Sequence, residues 1–452
     1  MNDPLGPRIQ RATGIGRVMA GHAARSTASR AVSPLLSEQK KAERRDATIL
    51  QFADELVSVV GSMKGAALKI GQVIAMFDFG LSSKSTRDEF AQRLAPLFAG
   101  VPPADWPVVK RQLTRELGTA LNRLDIDPVP VAAASVGQVH RAILDRRHPV
   151  AIKVQYPDID IAVRADLKNL RLLATLGSPT FPGTNLTGIV EEIAREINKE
   201  LDYVSEAANQ RRAAELARDH PYWLIPRIHD SLCTNRVLVA DYIDGERFDD
   251  MTRADVATRD RAGEAIYRFY SGGVYDLGEF CADPHPGNVL MMDDGRLAFL
   301  DFGLYVRMPK TALLRQKEIA RAMMEGRYHD AYVATVGIGV ESSRDTGEAE
   351  LVELMRDVAA WFLTEDEVTM TTKFARRSVT SLFAPGASHS DTVRHTTLPS
   401  EHIFSRRTDL AVSSLLGQLE ATNRWGSIAR EWTHDNPPAT EMGRTIARWR
   451  DR

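Results

Sequence analysis

The sequence predicts an α+β chain, with a helical extension first, then a strand-rich part, then a mixed and finally helical part. Three observations carry this. From about residue 42, apolar residues recur at three- and four-residue steps. Between about residues 136 and 154 the pattern changes to short apolar runs separated by a turn. After residue 310 the chain reads mostly as helix. The expected organisation is a basic leader over 1–40, a helical extension over 41–125, a first lobe with inserted helices over 126–245, and a helical second lobe over 246–452.

The first periodic stretch runs through Ile49, Phe52, Leu56, Val59, Met63, Ala67, Ile70, Ile74 and Phe77. Gly61, Gly65 and Gly71 interrupt it, so two helices or one broken helix are expected. A second helix covers Arg87 to Phe98, stopped by Pro102-Pro103, and a third runs from Asp105 to Leu117 and closes at Gly118. Strands follow at Val136–Leu144 and Val150–Val154. Helices are expected at 160–176 and 186–216, the second capped by Thr184 or Asn185. Val237–Tyr242 reads as a buried strand. Val289–Met292 and Leu297–Leu300 read as a hairpin turning at Asp293–Arg296.

Composition narrows the function classes. The hydrophobic fraction of 43% and charged fraction of 26% are those of an ordinary globular protein. A formal net charge of −2 argues against nucleic-acid binding driven by bulk charge. Two cysteines, Cys233 and Cys281, exclude a disulfide framework and a thiolate-rich zinc site, and fit a reducing compartment. No run of 18 or more apolar residues predicts a transmembrane helix. A cytoplasmic location with at most peripheral membrane contact is expected. The leader carries Arg8, Arg11, Arg17, Arg25 and Arg30 against Asp3, which suits a transit peptide, a basic membrane-surface segment or a plain disordered leader.

The chemistry concentrates in a few motifs. Asp301-Phe302-Gly303 directly follows the apolar run Leu297–Leu300, which puts a carboxylate at a strand end. Asp283-Pro284-His285-Pro286-Gly287-Asn288 pairs a carboxylate with an Asn five positions on (288 − 283). Phosphoryl-transfer loops need that combination: a carboxylate to orient or deprotonate the acceptor, and an Asn for a metal. A hairpin between Asn288 and Asp301 can bring both to one metal. Val150-Ala151-Ile152-Lys153 places a lysine in an apolar strand, a costly arrangement unless the charge is paired. The order Lys153, Asp283, Asn288, Asp301 is that of protein kinases, where the lysine meets the α- and β-phosphates and a helix glutamate. Glu200-Leu201-Asp202-Tyr203-Val204-Ser205-Glu206 supplies that glutamate. On one continuous helix Asp202 and Glu206 share a face and Glu200 points away from it. Asp241 and Tyr242, at the end of a strand, are candidates to bind an adenine with backbone groups. Each feature alone also has a plain structural reading as a turn, an edge-strand lysine or a solvated acidic face.

The chain departs from an ordinary protein kinase. Ala132-Ala133-Ala134-Ser135-Val136-Gly137-Gln138 stands where a glycine-rich phosphate loop would be, and alanines restrict backbone approach to phosphates. No Ala-Pro-Glu triplet follows Asp301-Phe302-Gly303, and Ala282 takes the place of the catalytic-loop arginine.

These departures coincide with a family. Over about residues 50–310 the chain resembles the UbiB/ABC1/ADCK atypical kinases. It carries their Lys-x-Gly-Gln signature at Lys69-Ile70-Gly71-Gln72, their alanine-rich loop at Ala132–Gln138, Glu-x-Asp at Glu200–Asp202, and the loops at Asp283–Asn288 and Asp301–Gly303. The resemblance implies an atypical protein-kinase-like bilobal fold that binds ATP or ADP with Mg²⁺. It implies that Lys153 pairs with Glu206 at the phosphates and that Asn288 and Asp301 hold Mg²⁺, with Asp283 as the catalytic carboxylate. Ala133 to Gln138 would line the nucleotide. Lys69, Gly71, Gln72, Glu200 and Asp202 would be regulatory, the extension covering the route of a peptide substrate. A lipid or isoprenoid small molecule near a membrane is the implied substrate class. Cys281 stands where the family commonly has His. The polar tail through Trp449 lacks the transmembrane helices of quinone-biosynthesis members, so the quinone link is weaker here. Competing readings are a small-molecule phosphotransferase of the aminoglycoside or choline kinase type, which would lack Lys69–Gln72, and a nucleotide-gated scaffold that turns nothing over.

Overall fold

The computed structural model describes residues 38–60, 83–98, 103–134, 136–177, 186–342, 346–383 and 388–452. Lys69, Gly71, Gln72, Ser135, the leader and the Thr184/Asn185 cap lie outside the described residues. Among the described residues the longer helices are α1 (Glu38–Val60), α2 (Lys84–Leu94), α3 (Trp106–Leu117), α4 (Ile159–Gly177), α5 (Leu186–Glu200), α6 (Tyr203–Leu216), α7 (Val256–Gly272), α8 (Lys310–Met324), α9 (Tyr328–Gly337), α10 (Glu348–Leu363), α11 (Thr372–Phe383), α12 (Ser400–Leu419), α13 (Trp425–Thr433) and α14 (Glu441–Arg450). The strands that matter to the site are β1 (Leu124–Ala133), β2 (Gly137–Leu144), β3 (His148–Gln155), β4 (Trp223–Leu224), β5 (Val237–Asp241), β6 (Glu246–Arg247), β7 (Glu279–Cys281), β8 (Val289–Met291), β9 (Leu297–Phe299) and β10 (Tyr305–Arg307).

The chain divides into two compact units. One comprises Met1–Arg115, Pro128–His140 and Lys153–Leu201; the other comprises Glu116–Asp127, Arg141–Ile152 and Asp202–Arg452. The sequence reading draws its lobe boundary at 245/246, whereas here everything from Asp202 onward belongs to the second unit.

In the first unit, the predicted stripe of α1 is buried. Ile49, Phe52, Ala53 and Leu56 pack with Phe90 and Leu94 of α2, with Val163, Leu167 and Leu170 of α4, and with Ile193 and Ile197 of α5. Gly118, which falls in the second unit, closes α3 at a φ of +53°, a left-handed value suited to glycine. β1, which contains Pro128 and Pro130, has no counterpart in the sequence reading. It forms as the edge of a four-stranded sheet ordered β1-β2-β3-β5, where missing N–H groups are tolerated.

In the second unit, β4, β9, β8 and β6 form a sheet in that order, and β7 pairs with β10. α7 supplies the core beneath them. Phe269 stacks on Phe299 at 3.6 Å between ring centroids, and Tyr267 sits among Trp361, Trp425 and Trp432.

His220 is buried in this unit, stacked on Trp223 at 3.7 Å and met edge-on by Trp449. Its Nδ1 accepts from the N–H groups of Tyr222 and Trp223. Burial, with Arg450 adding to it, pushes its pKa from 6.5 down to about 3. Above pH 6.5 the ring is neutral folded or unfolded, and its contribution to stability is complete. As pH falls below that, the unfolded chain takes up a proton that the folded chain refuses. Stability should then drop by about 1.4 kcal/mol per pH unit on this account. Urea midpoints between pH 7 and pH 5 should show the slope. His220→Asn, which keeps an acceptor at the Nδ1 position, should flatten it; an unchanged slope would assign the acid sensitivity elsewhere.

Candidate functional site

The loop from Asp283 to Asn288 is held at both ends by backbone pairing. β7 and β10 run antiparallel with Cys281 opposite Tyr305, and the Ala282 N–H continues the ladder to the Leu304 carbonyl at 2.8 Å. The chain entering the loop therefore runs beside the chain that has just left Asp301-Phe302-Gly303. At the far end, β8 and β9 pair with Val289 opposite Phe299, and the Leu300 N–H donates to the Asn288 carbonyl at 3.1 Å. Asn288 and Asp301 thus stand side by side at the open end of the predicted hairpin. Between the two ends, Pro286–Asn288 makes a short 3-10 turn. His285 Nδ1 accepts from the Gly287 N–H at 3.0 Å, and the Asn288 N–H donates to the His285 carbonyl at 3.0 Å. The prolines and this local bonding make the loop stiff.

Asp301 is aimed by its own turn, Oδ1 accepting from the Gly303 N–H at 2.9 Å. Phe302 is fully buried in the core of the second unit. Its carbonyl accepts from Asn209 Nδ2 of α6 at 3.2 Å. Glu206, also on α6, is buried, and its carboxylate reaches the same turn. A Cβ placed on Gly303 would lie 3.3 Å from Asp301 Oδ1 and 3.6 Å from Glu206 Oε2. Arg212 grips Glu279 of β7 with two hydrogen bonds of 3.0 and 2.9 Å. Glu206, Asn209 and Arg212 are three residues apart, so one face of α6 fastens to the start of β7 and to the Asp301 turn. The sequence reading named Glu206, as the partner of Lys153. Asn209 and Arg212 were missed, although their spacing from Glu206 was the available signal.

The expectation that Glu200, Asp202 and Glu206 share one helix is corrected. Glu200 ends α5, and Asp202 caps α6: its Oδ1 accepts from the Ser205 N–H at 3.0 Å and its Oδ2 from the Ser205 hydroxyl at 2.6 Å. Those two bonds hold the Asp202 carboxyl below its usual pKa. An aspartate that can bond a backbone N–H two or three residues on favours a cap over a helix interior, which is why the 186–216 helix breaks here. Gln155 Nε2 donates to the Leu201 carbonyl at 2.9 Å, so the end of β3 is tied to the break.

The floor of the site is electronegative. Burial pushes the Cys281 thiol well above its usual pKa, and the charges of Asp301, Asp283 and Glu206 push it further. The same burial, with Cys281, Asp283 and Asp301, raises the Tyr270 phenol. Among the described residues no three His, Cys, Asp or Glu side chains gather into a metal cage. The oxygens of Asp301 and Asn288 instead suit Mg²⁺, which keeps several waters and binds through one or two protein oxygens together with substrate phosphates.

Arg407 of α12 was also missed. Its Nη2 lies 3.3 Å from Asp283 Oδ1. No local pattern around residue 407 points to a partner 124 positions away (407 − 283).

In the first unit, Lys153 is half-buried in β3 between the buried Ile152 and Val154. Ala134 and Gly137 bond each other's backbones across the tip of the β1–β2 turn, beside the exposed Ala133. A Cβ on Gly137 would meet the Val154 carbonyl oxygen at 2.2 Å, so only glycine fits there. Val136 is a core residue. Gln138 requires a correction. It is fully buried, its Oε1 accepts from the Ala104 N–H at 2.7 Å, and its Nε2 meets the Ala104 carbonyl and His140 Nε2. Its amide anchors the segment before α3 and is spent on that task.

Of the adenine candidates, Asp241 donates its N–H to the Arg227 carbonyl, and Tyr242 donates its N–H to the Pro149 carbonyl. The Asp241 carboxylate meets His229 Nε2 at 2.8 Å, and the Tyr242 ring lies under the Arg141 guanidinium. Neither N–H is available to a base: that of Asp241 is taken by the segment 227–229 along β5, and that of Tyr242 by the Pro149 carbonyl.

The family described as the ABC1 atypical kinase-like domain matches residues 96–332. The chain is 29% identical over 317 residues to AarF domain-containing protein kinase 1 of Mus musculus, covering 67% of this chain and 59% of that protein. It is 36% identical over 273 residues to Protein ACTIVITY OF BC1 COMPLEX KINASE 1, chloroplastic, of Arabidopsis thaliana, covering 57% of this chain and 39% of that protein. The chain therefore spans less than two thirds of the length of these relatives. Among solved structures it resembles Rv3197 of Mycobacterium tuberculosis, determined with erythromycin, at a TM-score of 0.61 and 28% identity, over 87% of this chain and 98% of that one.

Proposed function

This chain belongs to the ABC1 atypical kinase-like family, and on that premise we propose that it binds ATP with Mg²⁺ and hydrolyses or transfers the γ-phosphoryl group. The observation that carries the reading is the β8–β9 hairpin, which sets Asn288 beside Asp301 at the end of the loop that begins with Asp283. Asn288 and Asp301 are the metal-holding residues in this reading. Mg²⁺ bound there supplies charge to neutralise the phosphate oxygens. Asp283 takes the acceptor's proton or orients the acceptor, and Lys153 serves the α- and β-phosphates.

The acceptor is water or a lipid or isoprenoid small molecule. The missing Ala-Pro-Glu platform supports a small molecule over a peptide. So does Rv3197, whose structure was determined in complex with erythromycin, a small molecule and not a peptide substrate. Among the described residues no helix is long and apolar enough to cross a membrane, and the contact with lipid in this reading is peripheral.

Phosphate release from ATP by the purified chain, with Mg²⁺ or with a chelator, and with or without anionic lipid vesicles, tests the reading. Metal-dependent turnover that rises with vesicles is expected. Nucleotide binding with no turnover in any condition would replace the enzyme with a nucleotide-gated scaffold.

A further inference from the structure

We propose that Arg407 is a positioning residue for phosphoryl transfer, holding the Asp283 carboxylate in its working orientation from a helix outside the catalytic motifs. The inference rests on the phosphoryl-transfer reading above.

The helix that carries Arg407 is anchored before it reaches Asp283. His402, Ser405 and Asp409 of α12, at steps of three and four, are all buried. His402 Nδ1 and Ser405 Oγ both meet Gln316 Oε1 of α8 at 3.0 Å. Arg406 Nη2 donates to the Tyr275 hydroxyl at 2.7 Å, and that hydroxyl donates to Asp409 Oδ2 at 3.0 Å. Tyr275 lies just before β7 and Asp283 just after it. Two consecutive arginines therefore hold the chain on both sides of the strand that delivers the catalytic loop.

The chemistry gives this brace a use. In the transfer step the acceptor oxygen bonds to the γ-phosphorus as the bond from that phosphorus to the β–γ bridging oxygen breaks. ADP leaves with the electron pair, and the acceptor's proton goes to Asp283. That carboxylate must be aimed closely, since small misplacements of a reacting group are costly. Ala282 brings no charge to the loop, and Arg407 brings a cation to Asp283 from α12. The pair is partly exposed, with side-chain exposures of 24% for Arg407 and 43% for Asp283. An ion pair so open to water adds little to folding stability, and its effect lies in orientation.

The test uses the full chain and four variants: Arg407→Gln, Arg407→Lys, Asp283→Asn, and Arg407→Gln combined with Asp283→Asn. Arg407→Gln should lower kcat by about 10- to 100-fold. Affinity for a fluorescent ATP analogue should stay within about twofold, the signature of a residue that acts on the chemical step. Arg407→Lys should recover part of the loss, since it restores charge without the planar fork. The double variant should be no slower than Asp283→Asn alone, because Arg407 acts through that carboxylate. An unchanged kcat, losses that add, or nucleotide affinity falling in step with kcat would each overturn the inference while leaving the function reading in place. No turnover by the wild type would overturn both.

Discussion

Asp301→Asn is expected to lower kcat/KM for Mg·ATP by about 10²–10³-fold, the scale of removing one preorganised electrostatic contact from an active site. The substitution is nearly isosteric. The Asp301 Oδ1 that accepts from the Gly303 N–H has a counterpart in asparagine, so the turn and the buried Phe302 should keep their places. Under the proposed metal-holding role, what is lost is the negative charge of a hard oxygen ligand beside Asn288. The effect should therefore appear in the metal: the Mg²⁺ concentration needed for half-maximal turnover should rise steeply, while the thermal midpoint barely moves. Phosphate release against Mg²⁺ at fixed ATP measures the first and scanning calorimetry the second. If Mg·nucleotide affinity is unaltered, Asp301 is not a metal ligand and the site has been assigned to the wrong carboxylate.

Arg268→Met should cost roughly 3–5 kcal/mol of stability, the usual loss when one partner of a buried ionic network is removed. Arg268 projects from α7 with its side chain 4% exposed. Its Nε donates to Glu264 at 2.7 Å, its Nη1 and Nη2 donate to Glu431 of α13 at 2.7 and 2.8 Å, and Nη2 also reaches the Thr440 hydroxyl at 2.9 Å. Thr440 caps α14 and donates to Glu264. One guanidinium thus ties α7 to both of the last two helices. Methionine fills much of the volume but leaves Glu264 and Glu431 buried without their cation. Restoring charge with Arg268→Lys should recover only part, because a lysine cannot repeat the two-pronged bond to Glu431. Denaturant titration gives the magnitude. A loss below about 1 kcal/mol, the range of exposed pairs, would mean that apolar packing around Trp425 and Trp432 holds these helices without the network.

The parts of this protein that were readable in the sequence are local. The stripe of α1, the strands β2, β3 and β5, and the β8–β9 hairpin follow from periodicity and turn chemistry within a few residues. The juxtaposition of Asn288 and Asp301 also followed, since a hairpin returns the chain to its starting point. One local reading failed because a competing local force prevailed: Asp202 caps a helix instead of continuing one. β1 went unread, and its two prolines are accommodated because it is an edge strand.

What the sequence by itself determined, then, was the set of chemical groups and their order along the chain: Lys153, Glu206, Asp283, Asn288 and Asp301. Tertiary structure alone decided their supports. Gln138 spends its amide on Ala104, the N–H groups of Asp241 and Tyr242 are taken by Arg227 and Pro149, Asn209 holds the Phe302 carbonyl, and Arg407 crosses from α12 to Asp283. The reason is physical. Secondary structure answers to neighbours three or four residues away, whereas the partner of a buried polar group is chosen by whichever face packing brings against it.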